Sequence, residues 1–312
     1  MKLLVSLGGN AILKHGQKGT AEEQAVNVQN TAKHLAAILR RGERIAITHG
    51  NGPQVGNILL QNEIAKETLP PMPLDICGAE SQGMIGYMLQ RALRGELESG
   101  GFKVPVATIV SQTLVDAGDP AFKNPTKPVG PFYTATEAQE LRESKGWQMI
   151  SDSGRGYRRI VPSPIPLDIL EKETIIRLFE TGTVVISAGG GGAPVVRDVD
   201  GRIRGVEAVL DKDRTAALLG RILGVETLLI LTDVERVFIN YGKPNQRTLD
   251  KITLQDCKKY LAEGQFPAGS MGPKIESAVS FLSDSTGKRV SIASLEMAEE
   301  ALQGRAGTTI TN

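Results

Sequence analysis

Two lysines occupy helix starts, where a positive charge is unfavourable, and they offer the clearest chemistry in this sequence. Lys212 stands between Asp211 and Asp213 at the beginning of a helical pattern that continues through Leu223. A lysine beside the positive end of a helix costs roughly 0.3 to 1 kcal/mol unless an anion lies there too. Taken alone, Lys212 is better interpreted as a solvated lysine held by the two flanking carboxylates.

A second lysine of the same kind changes that balance. The sequence SMGPK places Lys274 in the first turn of another amphipathic helix, where Gly272 and Pro273 are interpreted as a turn and a first helical residue. Because helix N-termini bind anions, two such lysines indicate one shared anionic ligand, and phosphate fits best.

Glycine or small polar turns follow four predicted strands, and they point to the same kind of ligand. Ligands of open α/β sheets bind at the carboxyl ends of strands, and glycine lets backbone N–H groups approach an anion closely. The four segments are SLGGNA (6–11), THGNGPQVG (48–56), SAGGGGAP (187–194) and LTDVERV (231–237).

The nucleotide-binding motifs with known spacing narrow the chemistry. The Walker pattern G-x-x-x-x-G-K-[ST] is absent, and Gly50, Gly52 and Gly56 give only a loose form of the dinucleotide fingerprint. That near match leaves a nicotinamide-dependent oxidoreductase as the alternative. Phosphoryl transfer places charge on three equatorial oxygens and calls for several cations, which lysines from separate segments supply.

Alternating strand and helix patterns must position these residues. Short β-branched runs predict strands covered on both faces at residues 2–7, 44–48, 104–110, 183–188, 227–232 and 289–293. Helical patterns lie at residues 22–40, 78–98, 167–180, 214–223, 254–262 and 275–285. This alternation predicts an α/β fold with a mostly parallel, doubly wound sheet.

One segment, residues 116–168, interrupts the alternation. It is rich in proline, contains a glycine-rich stretch at 151–159, and has one modest helical pattern at 137–145. A connection of this length is usually an inserted subdomain or a functional lid. A floppy insertion is the alternative, but the aromatic content, including the only tryptophan, Trp147, favours a folded one.

Composition excludes several classes of protein. With Lys+Arg 36 against Asp+Glu 35 the net charge is +1, which predicts neither a nucleic-acid partner nor an anionic membrane. Cys77 and Cys257 are far apart and lack zinc-site spacing, so we expect two buried thiols rather than a disulfide. Without a signal-like or long apolar segment, the sequence predicts a cytoplasmic protein that does not enter the membrane.

Six motifs in order carry a resemblance that spans nearly the whole chain. They are GGNA (8–11), HGNGPQV (49–55), NPTKPVGPFY (124–133), DKD (211–213), NYGKPNQ (240–246) and MGPK (271–274). With these motifs the chain resembles the carbamate kinase branch of the amino acid kinase family. The resemblance implies open αβα sandwich subunits in a homodimer, and reversible transfer of a phosphoryl group between ATP and carbamate with Mg²⁺ on the nucleotide phosphates.

The resemblance also assigns domains. It implies an N-lobe at residues 1–115 on the carbamate or carbamoyl phosphate side, an inserted lid subdomain at 116–167, and a C-lobe at 168–312 on the nucleotide side.

Site residues follow from the same resemblance. The catalytic set is Lys127, Lys212, Lys274 and Asp213, in which the lysines contact the transferred group and the carboxylate orients them. Carbamate would be bound by Gly8, Gly9, Asn10, Gly50, Asn51 and Gly52. The nucleotide would be bound by Ala188, Gly189, Gly190, Gly191, Asp211, Thr232, Asp233, Val234, Tyr241, Met271 and Gly272. No residue is expected to bind the metal directly, since phosphates and water would hold Mg²⁺.

Two consequences and three alternatives complete this interpretation. Carbamate is already an anion, so we expect in-line transfer assisted by lysines without a general base, with His49 shaping the Gly50–Gly52 turn. Other acyl-phosphate-forming members of the family, an oxidoreductase and a non-catalytic ligand sensor remain as alternatives.

Overall fold

The computed structural model describes residues 1–151, 156–267, 269–283 and 286–312, with the backbone alone described at Pro131. Part of the predicted glycine-rich stretch (152–155) and the predicted helix end at Ser285 lie outside these residues.

The helices and strands alternate along most of the described chain. The strands are β1 (Lys2–Leu7), β2 (Arg44–His49), β3 (Val106–Thr108), β4 (Gln112–Val115), β5 (Lys127–Tyr133), β6 (Met149–Ser151), β7 (Tyr157–Val161), β8 (Pro166–Ile169), β9 (Val184–Ile186), β10 (Ala193–Arg197), β11 (Ile203–Gly205), β12 (Thr227–Thr232), β13 (Val237–Ile239), β14 (Arg247–Leu249), β15 (Lys251–Thr253), β16 (Arg289–Ser294) and β17 (Thr308–Thr311). The α-helices are α1 (Ala21–Arg40), α2 (Gly52–Ala65), α3 (Leu74–Ser99), α4 (Ala135–Lys145), α5 (Lys172–Glu180), α6 (Lys212–Ile222), α7 (Leu254–Ala262), α8 (Met271–Leu282) and α9 (Ala298–Leu302).

A central sheet of eight described strands organises the fold, in the order β15-β17-β16-β12-β1-β2-β9-β3. Its neighbours pair in parallel, apart from the antiparallel pair of β16 and β17. All six strands predicted from β-branched runs belong to this sheet, which confirms the predicted fold class. Five of them are mostly buried because helices cover both faces, whereas the edge strand β3 is only partly buried.

Two hydrophobic cores lie on opposite faces of the sheet. Alternate residues of β12, such as Leu228 and Leu229, point to different cores because successive side chains of a strand face opposite sides. Residues of α5, α6, α7 and α8 form one core, and residues of α1, α3 and α9 form the other. The layers therefore make an open αβα sandwich, as the resemblance implied.

The proline-rich segment contains a small sheet of its own. Strands β5, β7 and β6 pair antiparallel, and α4 lies between β5 and β6 in sequence. Val129 and Val161 pack against Val55 and Ile58 of α2, together with Cys77 of α3. The insertion is thus folded where it is described, and it is seated on the helix that follows β2.

Two sequence predictions need correction. The helical pattern at 167–180 begins with β8, which pairs antiparallel with β4, so the helix itself starts only at Lys172. The sequence at residues 48–56 predicts only a glycine turn after β2, whereas the helix α2 begins at Gly52 with Pro53 in its first turn. The first difference arises because β8 pairs with β4, which is distant in sequence. The second arises because proline is favoured in the first turn of a helix.

Two further observations concern the expected thiols and membrane contact. Cys77 and Cys257 are both buried and free, and burial raises the pKa of their thiols to about 11 and about 12. None of the helices in the described part of the chain combines the length and apolar character that a membrane crossing requires.

Candidate active site

Four turns meet at one edge of the central sheet, because β12, β1, β2 and β9 are neighbours that run in parallel. Backbone bonds hold the turns to the adjacent strand ends. The Gly8 amide donates to the Leu231 carbonyl at 2.8 Å, and the Gly50 amide donates to the Leu7 carbonyl at 3.0 Å. The four glycine or small polar turns of the sequence therefore line one carboxyl edge of the sheet, where open α/β folds bind ligands.

The first turn of α6 reaches the same edge, and Asp211 is its N-cap. Oδ1 of Asp211 accepts hydrogen bonds from the amides of Asp213 and Arg214 at 3.0 and 3.3 Å, which satisfies two free donors of the helix start. Oδ2 accepts from Lys127 Nζ at 3.1 Å. The strand β5, held on α2 by Val129, thus delivers the lysine of the insertion to the start of α6.

Asp213 holds the two lysines that the sequence singled out. Lys212 Nζ lies 2.5 Å from Oδ1 of this carboxylate and 3.2 Å from Ser6 Oγ on β1. Lys274 Nζ lies 3.3 Å from Oδ2 of the same carboxylate. All three predicted lysines therefore bind neighbouring carboxylates at one helix start.

The charges of this cluster depend on each other because the cluster is buried. Burial would raise the pKa of Asp213, but Lys212 and Lys274 outweigh burial and hold the pKa at about 2. Burial, together with the like charge of Lys274, lowers the pKa of Lys212, against the opposing effect of Asp213. Two cations share one carboxylate here, so the site carries excess positive charge suited to a phosphoryl group.

The lysine side chain of α6 passes directly over the glycine turns. A Cβ atom placed on Gly50 would lie 3.5 Å from Cδ of Lys212 and 3.5 Å from the amide nitrogen of Gly9. These are ordinary van der Waals distances, so Gly50 lies in direct contact range of both groups. Gly9 and Gly50 therefore lie beside Lys212, whereas Gly8 packs against Leu231 and Thr232.

The other predicted carbamate residues differ in burial. Asn10 is exposed, whereas Asn51 is 8% exposed and its Nδ2 donates to Ser81 Oγ at 2.8 Å. Gly52 is the first residue of α2, whose first turn contains no acidic side chain. That helix start is electrostatically suited to an anion.

A cavity of about 220 Å³ lies at the end of β12, next to the start of α8. Five predicted nucleotide residues line it together with Lys274; they are Thr232, Asp233, Val234, Tyr241 and Met271. Gly272 supports its wall, since its amide donates to the Pro267 carbonyl at 2.9 Å. Sequence reasoning missed Phe238 and Phe266, which also line the cavity, because apolar residues in short strands and turns give no periodic signal.

The glycine turn after β9 is at the same edge of the sheet but does not line this cavity. A Cβ atom on Gly189 would be 2.4 Å from Cε1 of His49, and one on Gly190 would be 2.2 Å from Nδ2 of Asn51. Ala188 accepts from Thr48 Oγ1 at 2.8 Å. The structure therefore brings Ala188, Gly189 and Gly190 against the end of β2 and Gly191 against Leu210 and Thr113, and none of the four lines the cavity beside β12.

His49 is enclosed between these turns. Its Nδ1 lies 3.0 Å from the Gly50 carbonyl, which fits the predicted role of shaping the turn. Burial, opposed by the Gly50 contact and assisted by the charge of Lys212, lowers the pKa of the imidazole to about 4. The ring is neutral near pH 7 and adds no further positive charge.

Comparisons with known proteins agree with this geometry. A sequence model of the amino acid kinase family matches residues 1–294. The chain is 49% identical over 312 residues to a carbamate kinase of Pyrococcus horikoshii, covering 99% of each protein. It is 48% identical over 313 residues to a carbamate kinase of Clostridium perfringens, again covering 99% of each.

Solved structures give the same relationship in three dimensions. The carbamate kinase of Giardia lamblia bound to AMP-PNP superposes with a TM-score of 0.94 at 44% identity, covering 99% of this chain and 98% of that one. A UMP kinase of Bacillus anthracis, at 14% identity and a TM-score of 0.53, shares the fold alone. On the strength of the sequence match and the fold together, the chain belongs to the amino acid kinase family.

Proposed function

We propose that this chain catalyses the carbamate kinase reaction, in which ATP and carbamate give ADP and carbamoyl phosphate reversibly. The observation that carries the proposal is the convergence of Lys127, Lys212 and Lys274 on Asp211 and Asp213 at the start of α6. Close relatives along the full chain are carbamate kinases, which supports the same reaction.

The proposed mechanism is in-line transfer governed by alignment and charge. A carbamate oxygen is already negative, so it attacks the γ-phosphorus without a general base while the bond to the leaving ADP oxygen breaks. The glycine turns at Gly8, Gly9 and Gly50 would hold carbamate and the moving oxygens through their amides. Lys212 and Lys274 would neutralise the charge that develops between the attacking and leaving oxygens.

The position of Lys274 supports the assignment of the two substrates to the two halves of the chain. It lines the cavity beside β12 and also contacts Asp213, so it can reach from a nucleotide in that cavity to the transferred group. We propose that residues 168–312 bind the nucleotide and residues 1–115 bind carbamate. The turn at 188–191 is an exception on this proposal, since it packs on His49 and Asn51.

Lys127 would act with the insertion, residues 116–167, as a lid. Its side chain is 37% exposed, and its ion pair with Asp211 links β5 to the helix start. Closing the insertion over bound substrates would bring a third cation to the phosphoryl group and exclude water. That exclusion matters because water competes with carbamate for the phosphoryl group.

Magnesium fits this site as a companion of the nucleotide. The oxygens of Asp211 and Asp213 are engaged by lysines and helix amides, and the described residues contain no group of three or more His, Cys, Asp or Glu side chains arranged to hold a metal. We propose that phosphates and water hold Mg²⁺, which would neutralise charge on the β- and γ-phosphates.

A homodimer in the cytoplasm completes the proposal. The α3 helix carries exposed apolar side chains on one face, including Ile76, Met84 and Tyr87, which suits contact with a second copy. Light scattering coupled to gel filtration would measure the mass directly, and a monomer at micromolar concentration would contradict a homodimer.

A coupled assay of ATP formed from ADP and carbamoyl phosphate tests the reaction itself. Lys212→Ala and Lys274→Ala should each lower kcat by about 100- to 1000-fold, because each removes charge stabilisation in the transition state. The exposed Lys258→Ala on α7 is the matched control and should be near normal. Near-normal turnover in both active-site variants would refute the electrostatic mechanism.

The same assay separates the alternatives. Faster ATP formation from another acyl phosphate would favour a different member of the family. If ligands protect the protein against heating but no ATP forms, a sensor is favoured. If NADH binds and ATP does not protect the protein against heating, an oxidoreductase is favoured. For Lys127→Ala, kcat should fall while the affinity for ADP is kept; loss of ADP affinity instead would contradict its assignment to a lid.

A further inference from the structure

A short chain of buried hydrogen bonds fixes the side chain of Asn51. Nδ2 of Asn51 and Oγ of Ser81 are 2.8 Å apart, and Oγ of Ser81 lies 2.6 Å from the carbonyl oxygen of Gly78. Ser81 is fully buried within α3, and Asn51 is 8% exposed. Water can replace the hydrogen bond between the two side chains only if the contact between α3 and the turn after β2 opens.

The number of donor protons in this series of hydrogen bonds determines whether the oxygen or the nitrogen of the Asn51 amide faces Ser81. A carbonyl oxygen only accepts, so Ser81 must donate its single hydroxyl proton to Gly78. The hydroxyl can then only accept from Asn51, which turns the NH₂ group of the amide toward Ser81. The amide oxygen, Oδ1, is left over, and no residue in the described ranges donates a hydrogen bond to it. A side chain more than nine-tenths buried thus keeps a spare acceptor.

The position of this acceptor relates it to the reaction. Asn51 follows Gly50, which lies beside the Lys212 side chain, and its amide packs on Gly190. A Cβ atom at Gly190 would come within 2.4 Å of Oδ1, so the backbone there approaches as closely as glycine permits. The amide is held on both sides, and its orientation is preset before any substrate arrives.

We propose that Oδ1 of Asn51 accepts a hydrogen bond from the amino group of carbamate, and that Ser81 is the positioning residue that presents this oxygen. The inference rests on the proposed carbamate kinase reaction and names the group that selects its acceptor. Carbamate and acetate share a carboxylate and nearly the same shape, but only carbamate offers N–H donors. A methyl group would cover this oxygen without donating a hydrogen bond to it, which leaves the acceptor unpaired and is unfavourable.

The test compares two acyl phosphates in the direction of ATP formation. Carbamoyl phosphate carries the amino group, and acetyl phosphate replaces it with methyl. The change in the ratio of their kcat/KM values between wild type and variant therefore reports this contact, because the intrinsic difference in reactivity cancels. Asn51→Leu should lower the ratio about 10- to 100-fold, because it removes the acceptor at similar size. Ser81→Ala should lower it about tenfold by freeing the amide to turn. The exposed Gln255→Ala on α7 should leave the ratio unchanged.

The outcomes separate this inference from the proposed function. If wild-type enzyme forms no ATP from carbamoyl phosphate, the proposed function fails and the inference fails with it. If wild type is active and both substrates decline equally in the variants, Asn51 is structural and the inference alone is overturned. Ser81→Ala decides the matter should Asn51→Leu fail to fold, since thermal unfolding of each variant is measured alongside.

Discussion

Replacing Asp213 by asparagine should test the charge balance of the site most directly. The carboxylate is 4% exposed and contacts Lys212 and Lys274 through different oxygens, at 2.5 and 3.3 Å. Asparagine keeps the shape but removes the negative charge, and it sets an NH₂ donor against an ammonium group. Two buried cations would then repel each other without a shared counter-charge.

The size of the effect follows from the pKa of Asp213, which folding lowers from 3.8 to about 2. A shift of this size corresponds to roughly 2 to 3 kcal/mol of stability in favour of the ionised native state. Because the folded pKa is depressed, this stabilisation is fully present above about pH 4 and is lost as the pH falls toward 2. Leaving buried lysines unpaired adds to the loss, so we expect about 3 to 5 kcal/mol at pH 7.

Urea unfolding at pH 7 measures this difference, with Asp198→Asn as the control. Asp198 forms an exposed ion pair with Arg204 at 3.6 Å, and such pairs contribute about 0 to 1 kcal/mol. Added inorganic phosphate should stabilise Asp213→Asn more than wild type, because an anion can replace the missing charge. A loss below about 1 kcal/mol, equal to the control, would refute the reasoning.

Two further predictions concern the same cluster and its neighbouring turn. Lys274→Met should raise the pKa of Lys212, because it removes a like charge. In the activity that this variant retains, the decrease of kcat/KM at alkaline pH should therefore occur at a higher pH than in wild type. A decrease at the same or a lower pH would contradict this. Gly189→Ala should destabilise the protein by about 1 to 3 kcal/mol in urea, because its methyl group would lie 2.4 Å from ring atoms of His49. The control Gly95→Ala on α3 meets open space and should be neutral or stabilising.

Much of the fold could be predicted from sequence because the central strands are buried on both faces. Their β-branched runs stand out, and the strands at residues 2–7 and 227–232 have the predicted bounds. Shorter strands such as β8 could not be recognised, since their pairing with β4 depends on contacts distant in the chain. The helical pattern at residues 167–180 therefore includes most of β8 as well as α5.

Within the site, a residue could be recognised from sequence when it departs from a local structural preference. Lys212 and Lys274 stand out because a cation at a helix start violates a local preference that only a bound anion or a buried carboxylate explains. Lys127 violates no such preference, and 84 positions separate it from Asp211, so only the resemblance identified it. Ser81 gave no signal, and Ser6 only begins one of the glycine segments, since a small hydroxyl inside a strand or helix is ordinary until its partner is known.

The topology of the sheet explains where the two substrates should meet. Strand β1 is central, with β2, β9 and β3 on one side and β12, β16, β17 and β15 on the other. Successive connections therefore diverge at its carboxyl end, and such a switch point opens the crevice in which doubly wound sheets bind ligands. Gly8 lies at that point, where its amide donates to the Leu231 carbonyl and Gly9 follows it toward Lys212.

The same topology accounts for the turn after β9. Although Val184–Ile186 lies in the C-terminal half of the chain, this strand is inserted beside β2, so Gly189 and Gly190 contact His49 and Asn51. Position in the sheet, rather than position in the sequence, decides which substrate a turn can reach. Gly189 and Gly190 therefore lie against the end of β2, apart from the residues that line the cavity between β12 and α8.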